Sequence, residues 1–212
     1  MLPIIGDIET RSCCNLRDCG AYIYATDPST DVLCLCYAIG DGEIQVWKPG
    51  DPVPAPFVNP ADYGPFIWDN WTFDSQIYAR VLVKRYGFAP IPIEQQDCAQ
   101  RLALANGYPP ELDRRCEALG VPYRKDPEAR KAMLRIARLP VDGPKRKKTK
   151  PVDPAQYERD LALTIERCKT DVAATRACCG HTRPALRVRT ARDRTAGLRA
   201  ALGAGERLSA RA

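Results

Sequence analysis

The chain has 212 residues, 45% of them apolar and 27% charged, with a formal net charge of +6. That length supports one ordinary domain with a core of its own. No 18-residue apolar run and no basic leader followed by an apolar stretch is present, so neither a membrane-spanning helix nor a secretory signal is expected, and the setting is a cytoplasm.

The first element is the apolar run Leu2-Pro3-Ile4-Ile5, which opens a strand predicted over residues 2–9. Residues two apart on a strand share a face, so Asp7 and Glu9 present two carboxylates side by side. Like charges at that spacing repel unless a cation sits between them, and all-oxygen donors suit magnesium or manganese better than zinc. Residues 21–25, 31–39 and 43–48 are further predicted strands, the last two joined by an Asp41-Gly42 turn. Cys34 and Cys36 lie in the most apolar of them and fit as small core residues. A proline-rich connection, 51–59, precedes a short strand at 65–68 and a helix at about 72–86.

Asp74 falls in the first turn of that helix, close to a strand end. Taken alone it is an acid favoured by the helix dipole. Residues 95–105 and 110–119 have helical patterns, the second stopped by Gly120 and Pro122. A helix over 126–138 is capped by Asp126 with Pro127 at its first position. After a proline- and lysine-rich loop, 139–153, a long helix from about 154 to 179 carries Asp171. Taken alone, Asp171 is a solvated helix residue. Together, four acids from one strand and two helices can converge on two metal ions that clamp a scissile phosphate.

The charge is unevenly placed. Residues 181–212 hold eight arginines against Asp193 and Glu206, which equals the whole net charge, and Lys145-Arg146-Lys147-Lys148-Thr149-Lys150 adds five positive charges, leaving about −5 on the rest. Such basic segments can grip backbone phosphates without reading sequence; the alternative is a solvated loop and tail. The expected organisation is a domain over 1–180 followed by an Arg/Ala-rich tail over 181–212, poorly ordered apart from a weak helix at about 193–202. Ten cysteines are many for a reducing compartment. Cys13, Cys14, Cys19, Cys178, Cys179 and His181 could meet as a zinc site, but no Cys-x-x-Cys pair supports it.

In this order the motifs resemble those of the DEDD superfamily of 3′–5′ exonucleases, and more closely the proofreading domain of phage and bacterial family A DNA polymerases. Asp7-Ile8-Glu9-Thr10 is similar to the first exonuclease motif and Asn70-Trp71-Thr72-Phe73-Asp74 to the second, Asn-x-x-Phe-Asp. Further landmarks are Cys34 to Gly42, Trp47-Lys48-Pro49-Gly50, Tyr86-Gly87-Phe88, Glu117 to Gly120, and Lys125-Asp126 through Met133-Leu134. The resemblance covers about residues 1–180.

It implies an α/β, ribonuclease H-like fold, with a mixed central sheet flanked by helices. It implies two Mg2+ or Mn2+ ions held by Asp7, Glu9, Asp74 and Asp171, and hydrolysis of terminal nucleotides from single-stranded DNA. The implied partners are a DNA 3′ end and a polymerase module, in the same chain or separate, with no membrane; for a phage protein the setting is the host cytoplasm. Substrate contacts are implied for Thr10, Arg11 and Asn70. Trp68, Trp71 and Phe73 around the second motif are the candidates for stacking on bases: Trp71 is the expected stacking residue, Phe73 is a substrate-binding candidate that core packing beside Asp74 also explains, and Trp68 is expected in the core.

The third motif departs from the family. Where Tyr-x-x-x-Asp is expected, the chain has Arg167-Cys168-Lys169-Thr170-Asp171. The family tyrosine orients or helps deprotonate the attacking water, and arginine cannot serve as a base. Glu166 is one substitute, turned about 100° from Arg167 on a helix. His181 is a poor one. Arg167 is expected either to bind a substrate phosphate or to pair with one of the acids. Slow hydrolysis follows, or, as the alternative, a catalytically impaired nucleic-acid-binding or polymerase-accessory module with the same fold.

Overall fold

The computed structural model describes residues 1–123, 125–138 and 153–182. The basic run at 145–150 and the arginine-rich tail beyond 182 lie outside the described residues. Strand β1 (Ile4–Arg11) occupies the middle of a five-stranded sheet ordered β3-β2-β1-β4-β5. It pairs antiparallel with β2 (Asp31–Ile39), which pairs antiparallel with β3 (Gln45–Trp47). On its other side it pairs parallel with β4 (Phe66–Trp68), itself parallel to β5 (Gln96–Cys98). An antiparallel meander extended by parallel strands, with helices on both faces, is the ribonuclease H-like arrangement.

The helices are α1 (Leu16–Thr26), α2 (Ala55–Val58), α3 (Trp71–Ile77), α4 (Val83–Tyr86), α5 (Ala99–Ala105), α6 (Leu112–Leu119), α7 (Pro127–Ala137) and α8 (Pro154–Thr182). A π-helical turn, Tyr78–Leu82, joins α3 to α4 into the single helical stretch expected at 72–86. Helix α7 starts as expected, with the Asp126 side chain accepting from the Glu128 amide and Pro127 next. Helix α6 stops at Gly120, whose φ of 66° suits glycine. Among the described residues no helix is long and apolar enough to cross a membrane.

The two faces of the sheet are packed differently. One carries a large aromatic core in which Trp47, Phe57, Phe66, Trp68, Tyr78 and Phe88 meet Ile4 and Ile8. The other carries small side chains, Cys34, Cys36, Ala38 and Ala99, against Ile5, Ile67 and the α8 residues Cys168 and Val172. Both β2 cysteines are fully buried, as expected of them. Short side chains let α8 lie close over β1, so Asp7 and Glu9, on the same face as Ile5, point toward it.

Two expectations need correction. Residues 21–25 are not a strand but the second half of α1. Their β-branched and aromatic content suggested a strand, but they continue a helix that Asn15 caps at its start and that kinks at Gly20 (φ 75°), with Tyr24 and Ala25 buried and Tyr22 and Ile23 exposed. Residues 95–105 are not one helix: Gln96–Cys98 form the sheet edge before α5 begins. Three polar, half-buried residues give no periodic signal.

Candidate active site

Asp7 and Glu9 stand on β1 at the sheet centre. A β-bulge falls between Glu9 and Thr10, where the pairing steps from Glu9–Cys34 to Thr10–Val32. Bulges re-aim side chains and sit beside sites in many folds. The residue before the pair is glycine for a steric reason. A Cβ on Gly6 would come within 2.8 Å of the Trp68 ring, itself buried. Helix α8 brings Asp171 to the same place, and oxygens of Asp7, Glu9 and Asp171 lie within 4.8 Å of one another. The Cys168 thiol, one turn earlier, donates to the Asp7 carbonyl at 3.4 Å and ties the helix to the strand.

Asp74 is 3% exposed in the first turn of α3. Its oxygens are not among the three that meet, but its charge acts on Asp7. Burial pushes the Asp74 carboxyl well above the usual carboxylate range, and the nearby Asp69 adds to this, while backbone hydrogen bonds at Ile8 and Asn70 oppose it. Asp7 is raised strongly by burial and then by Glu9, Asp74 and Asp171. Glu9 is raised to about 7 by burial, with the Arg167 guanidinium pulling the other way. Asp171 is raised by burial against the pull of Tyr123 and Arg167. Four acids that resist ionisation together are an electrostatic arrangement in need of positive charge.

Part of that charge is already present. Arg167 places Nε 3.3 Å from Glu9 Oε1 and a terminal nitrogen 3.5 Å from Asp171 Oδ2. Of the two roles expected for it, the structure shows the pairing with acids. The other Asp171 oxygen, Oδ1, accepts from the Tyr123 hydroxyl at 2.6 Å. Burial and the adjoining carboxylate raise Tyr123 far above its ordinary value, so it stays protonated and donates. Tyr123 follows α6 in a loop, 48 residues from Asp171; no local pattern in the sequence signals this contact. Asp69 and Arg115 are likewise unanticipated. Arg115, 1% exposed, pairs with Asp69 and donates to the Pro110 carbonyl at 2.9 Å. This pair anchors the short segment between β4 and α3, which carries Asn70 and leads into the turn that holds Asp74.

The other candidates fall as follows. The Asn70 side chain is exposed and is not used to cap α3. Trp71 donates its indole N–H to Gln96 on β5 at 2.9 Å. Phe73, a candidate for both substrate and core, packs against the Tyr24 ring and lines a groove beside Glu9. Trp68 is buried, as expected. The Thr10 hydroxyl is hydrogen-bonded to Tyr24, and Arg11 pairs with Asp31. Glu166 is exposed and pairs with Lys169 at 2.6 Å, on the rim of a small pocket that Tyr123, Arg167 and Asp171 also line. His181 bonds the Ala177 carbonyl of its own helix. Cys116 and Cys178 thiols meet at 3.5 Å, and Cys14 meets Cys19, but Cys13, Cys14, Cys19, Cys178, Cys179 and His181 do not assemble as a metal-binding group among the described residues.

The groove beside Glu9 has a volume of about 780 Å³. It is lined by Ile8, Glu9 and Thr10 of β1, by Tyr24 and Phe73, by Met133 and Leu134 of α7, and by Arg17, Arg130 and Arg138. Aromatic and apolar walls suit bases, and arginines suit phosphates.

No protein-family model matches the chain, and no curated protein matches it. Among solved structures it is similar to the family B DNA polymerase from the hyperthermophilic archaeon Pyrobaculum calidifontis, with a TM-score of 0.49 and 16% identity, over 87% of this chain and 25% of that one. The chain therefore spans about a quarter of that polymerase's length.

Proposed function

We propose that the protein is a metal-dependent 3′–5′ exonuclease that removes terminal nucleotides from single-stranded DNA, a proofreading-type domain related to those of family A DNA polymerases. The observation that carries this reading is the convergence of Asp7, Glu9 and Asp171, backed by Asp74, beside a groove that Glu9 lines together with arginines and aromatic rings. The donor set is all oxygen and strongly anionic, which fits Mg2+ or Mn2+. A divalent ion held by these acids would lower the pKa of a water and neutralise charge growing on the phosphate.

In the reaction, water adds to the terminal phosphorus, the bond to the preceding 3′ oxygen breaks, and that oxygen takes up a proton. A nucleoside 5′-monophosphate leaves. The protein's own groups bind and orient. Phe73 offers a ring to a base, Asn70 an unspent amide to the terminal nucleotide, and Arg17 and Arg130 charge to the backbone. Tyr123 fixes the Asp171 carboxylate through its 2.6 Å hydrogen bond. A polymerase module, in the same chain or separate, is the partner such a domain serves.

The second reading is a catalytically impaired nucleic-acid-binding or polymerase-accessory module. The contacts of Arg167 with Glu9 and Asp171 favour it, because arginine cannot deprotonate a water. Hydrolysis of 5′-labelled single-stranded DNA with Mg2+ or Mn2+ separates the two. A ladder of one-nucleotide steps that Asp7→Ala abolishes is the expected result. Binding without any ladder, in folded protein, would replace the exonuclease with the binding module.

A further inference from the structure

The acids at this centre fit one divalent ion better than the pair that the motifs imply, because a side chain already stands where a second cation would go. Glu9 Oε1 and Asp171 Oδ2 both face the Arg167 guanidinium, at 3.3 and 3.5 Å. Asp171 Oδ1 is taken by the Tyr123 hydroxyl. Both oxygens of Asp171 are thus engaged by donors, one of them a permanent cation. Asp7, Glu9 and Asp171 are the same three residues whose oxygens lie within 4.8 Å of one another. An ion shared by Glu9 Oε1 and Asp171 Oδ2 would sit against the guanidinium.

We propose that Arg167 fills the cation position of the Asp7–Glu9–Asp171 triad, so that the protein without nucleic acid holds a single divalent ion, and that a second ion enters only when the guanidinium is removed. This rests on the metal-dependent reading of the site. Its physical basis is charge. Four carboxylates beside one guanidinium carry a net −3 when all are ionised, one divalent ion brings this to −1, and a second would leave excess positive charge among buried groups. Arginine cannot relieve the conflict by losing its proton. Arg167 is held by two acids from different elements, β1 and α8, and its side chain is only 20% exposed. An anion that draws the side chain away, such as a substrate phosphate, would open the triad.

The test is a count of tightly bound Mn2+ by electron paramagnetic resonance, in the full chain and without nucleic acid. Wild type is compared with Arg167→Gln and Arg167→Leu, each checked for folding by circular dichroism. The expected result is one ion in wild type and two in the variants. Two variants are used so that either one, if folded, decides. Any count other than one in wild type, or an unchanged count in the folded variants, overturns the proposal. The count does not depend on cleavage. A wild type with one ion that fails to cut DNA would sink the exonuclease reading and leave this inference standing, and a cutting enzyme with two ions would do the reverse.

Discussion

The two faces of the sheet solve different problems with the same strand. On one face Phe57 is fully buried and meets the rings of Tyr37, Phe66, Tyr78 and Phe88. Large rings fill the space between the sheet and the helices of that side. On the other face Cys34, Cys36 and Cys168 bring three sulfur atoms within 4.8 Å of one another, all buried. Thiols of this size let α8 approach β1 closely enough for Cys168 to reach the Asp7 carbonyl and Arg167 to reach Glu9. The aromatic face makes the fold stable, and the thin face places the chemistry. The separation is not complete, since Ile8, Tyr24 and Phe73 of the aromatic side also line the groove beside Glu9.

The comparison is broken most severely at the aromatic face. Phe57→Ala should cost about 3–5 kcal/mol through lost burial and a cavity, read as a lower urea midpoint. The Mn2+ affinity of the fraction that remains folded should be unchanged. A weakened affinity would show that the faces are coupled. On the thin face Cys34→Leu should cost less, about 1–3 kcal/mol from overpacking, yet it should weaken Mn2+ binding and activity by pushing α8 from β1. An intact site in that variant would refute the role given to small side chains.

Two smaller effects sharpen the account at the site itself. Arg167→Tyr should speed hydrolysis by about 10-fold or more, up to the ~10²–10⁴-fold of a well-positioned acid–base group; an unchanged or lower rate would mean that Arg167 helps rather than hinders. The pH dependence of the metal-free protein follows from the raised carboxylates. Burial lifts Asp7, Glu9, Asp74 and Asp171 above their unfolded values, Glu9 to about 7. Between the ordinary carboxylate range and about 7 the folded state binds more protons than the unfolded one, so stability falls as pH rises through that window. Asp160, lowered by its Arg135 partner, acts oppositely but only below the ordinary range, where its contribution is lost as pH falls. In chelator, the urea midpoint should be higher near pH 5 than near pH 8, and a divalent ion should shrink the difference. A flat profile in chelator would mean that the acids are not held against ionisation.

Much of this was legible in the sequence, for reasons that differ by residue. Asp7 and Glu9 follow from the period of a strand, Asp74 from a strand that ends just before a helix, and Asp171 from a long helical pattern. Arg167 stood out because an arginine is chemically wrong where the motif expects a tyrosine, and the structure gives it two acidic partners. Tyr123 was not legible, since a loop residue reaches Asp171 only through the packing of α6 and α7 around α8. The Arg115–Asp69 pair was hidden for the same reason, its partners lying 46 residues apart. Strand β5 was missed because β4 and the sheet, not its own side chains, hold Gln96–Cys98 extended. Phe73 shows the limit of a binary choice between core and site: its ring packs on Tyr24 and also lines the groove beside Glu9.

The most direct measurement is the product pattern from one single-stranded DNA labelled at either end, with Mn2+, for wild type and Asp7→Ala. The account predicts a descending ladder from the 5′ label, immediate release of a labelled 5′-mononucleotide from the 3′ label, and neither in the variant. Intact DNA under both labels, from a folded protein that binds Mn2+, would contradict it.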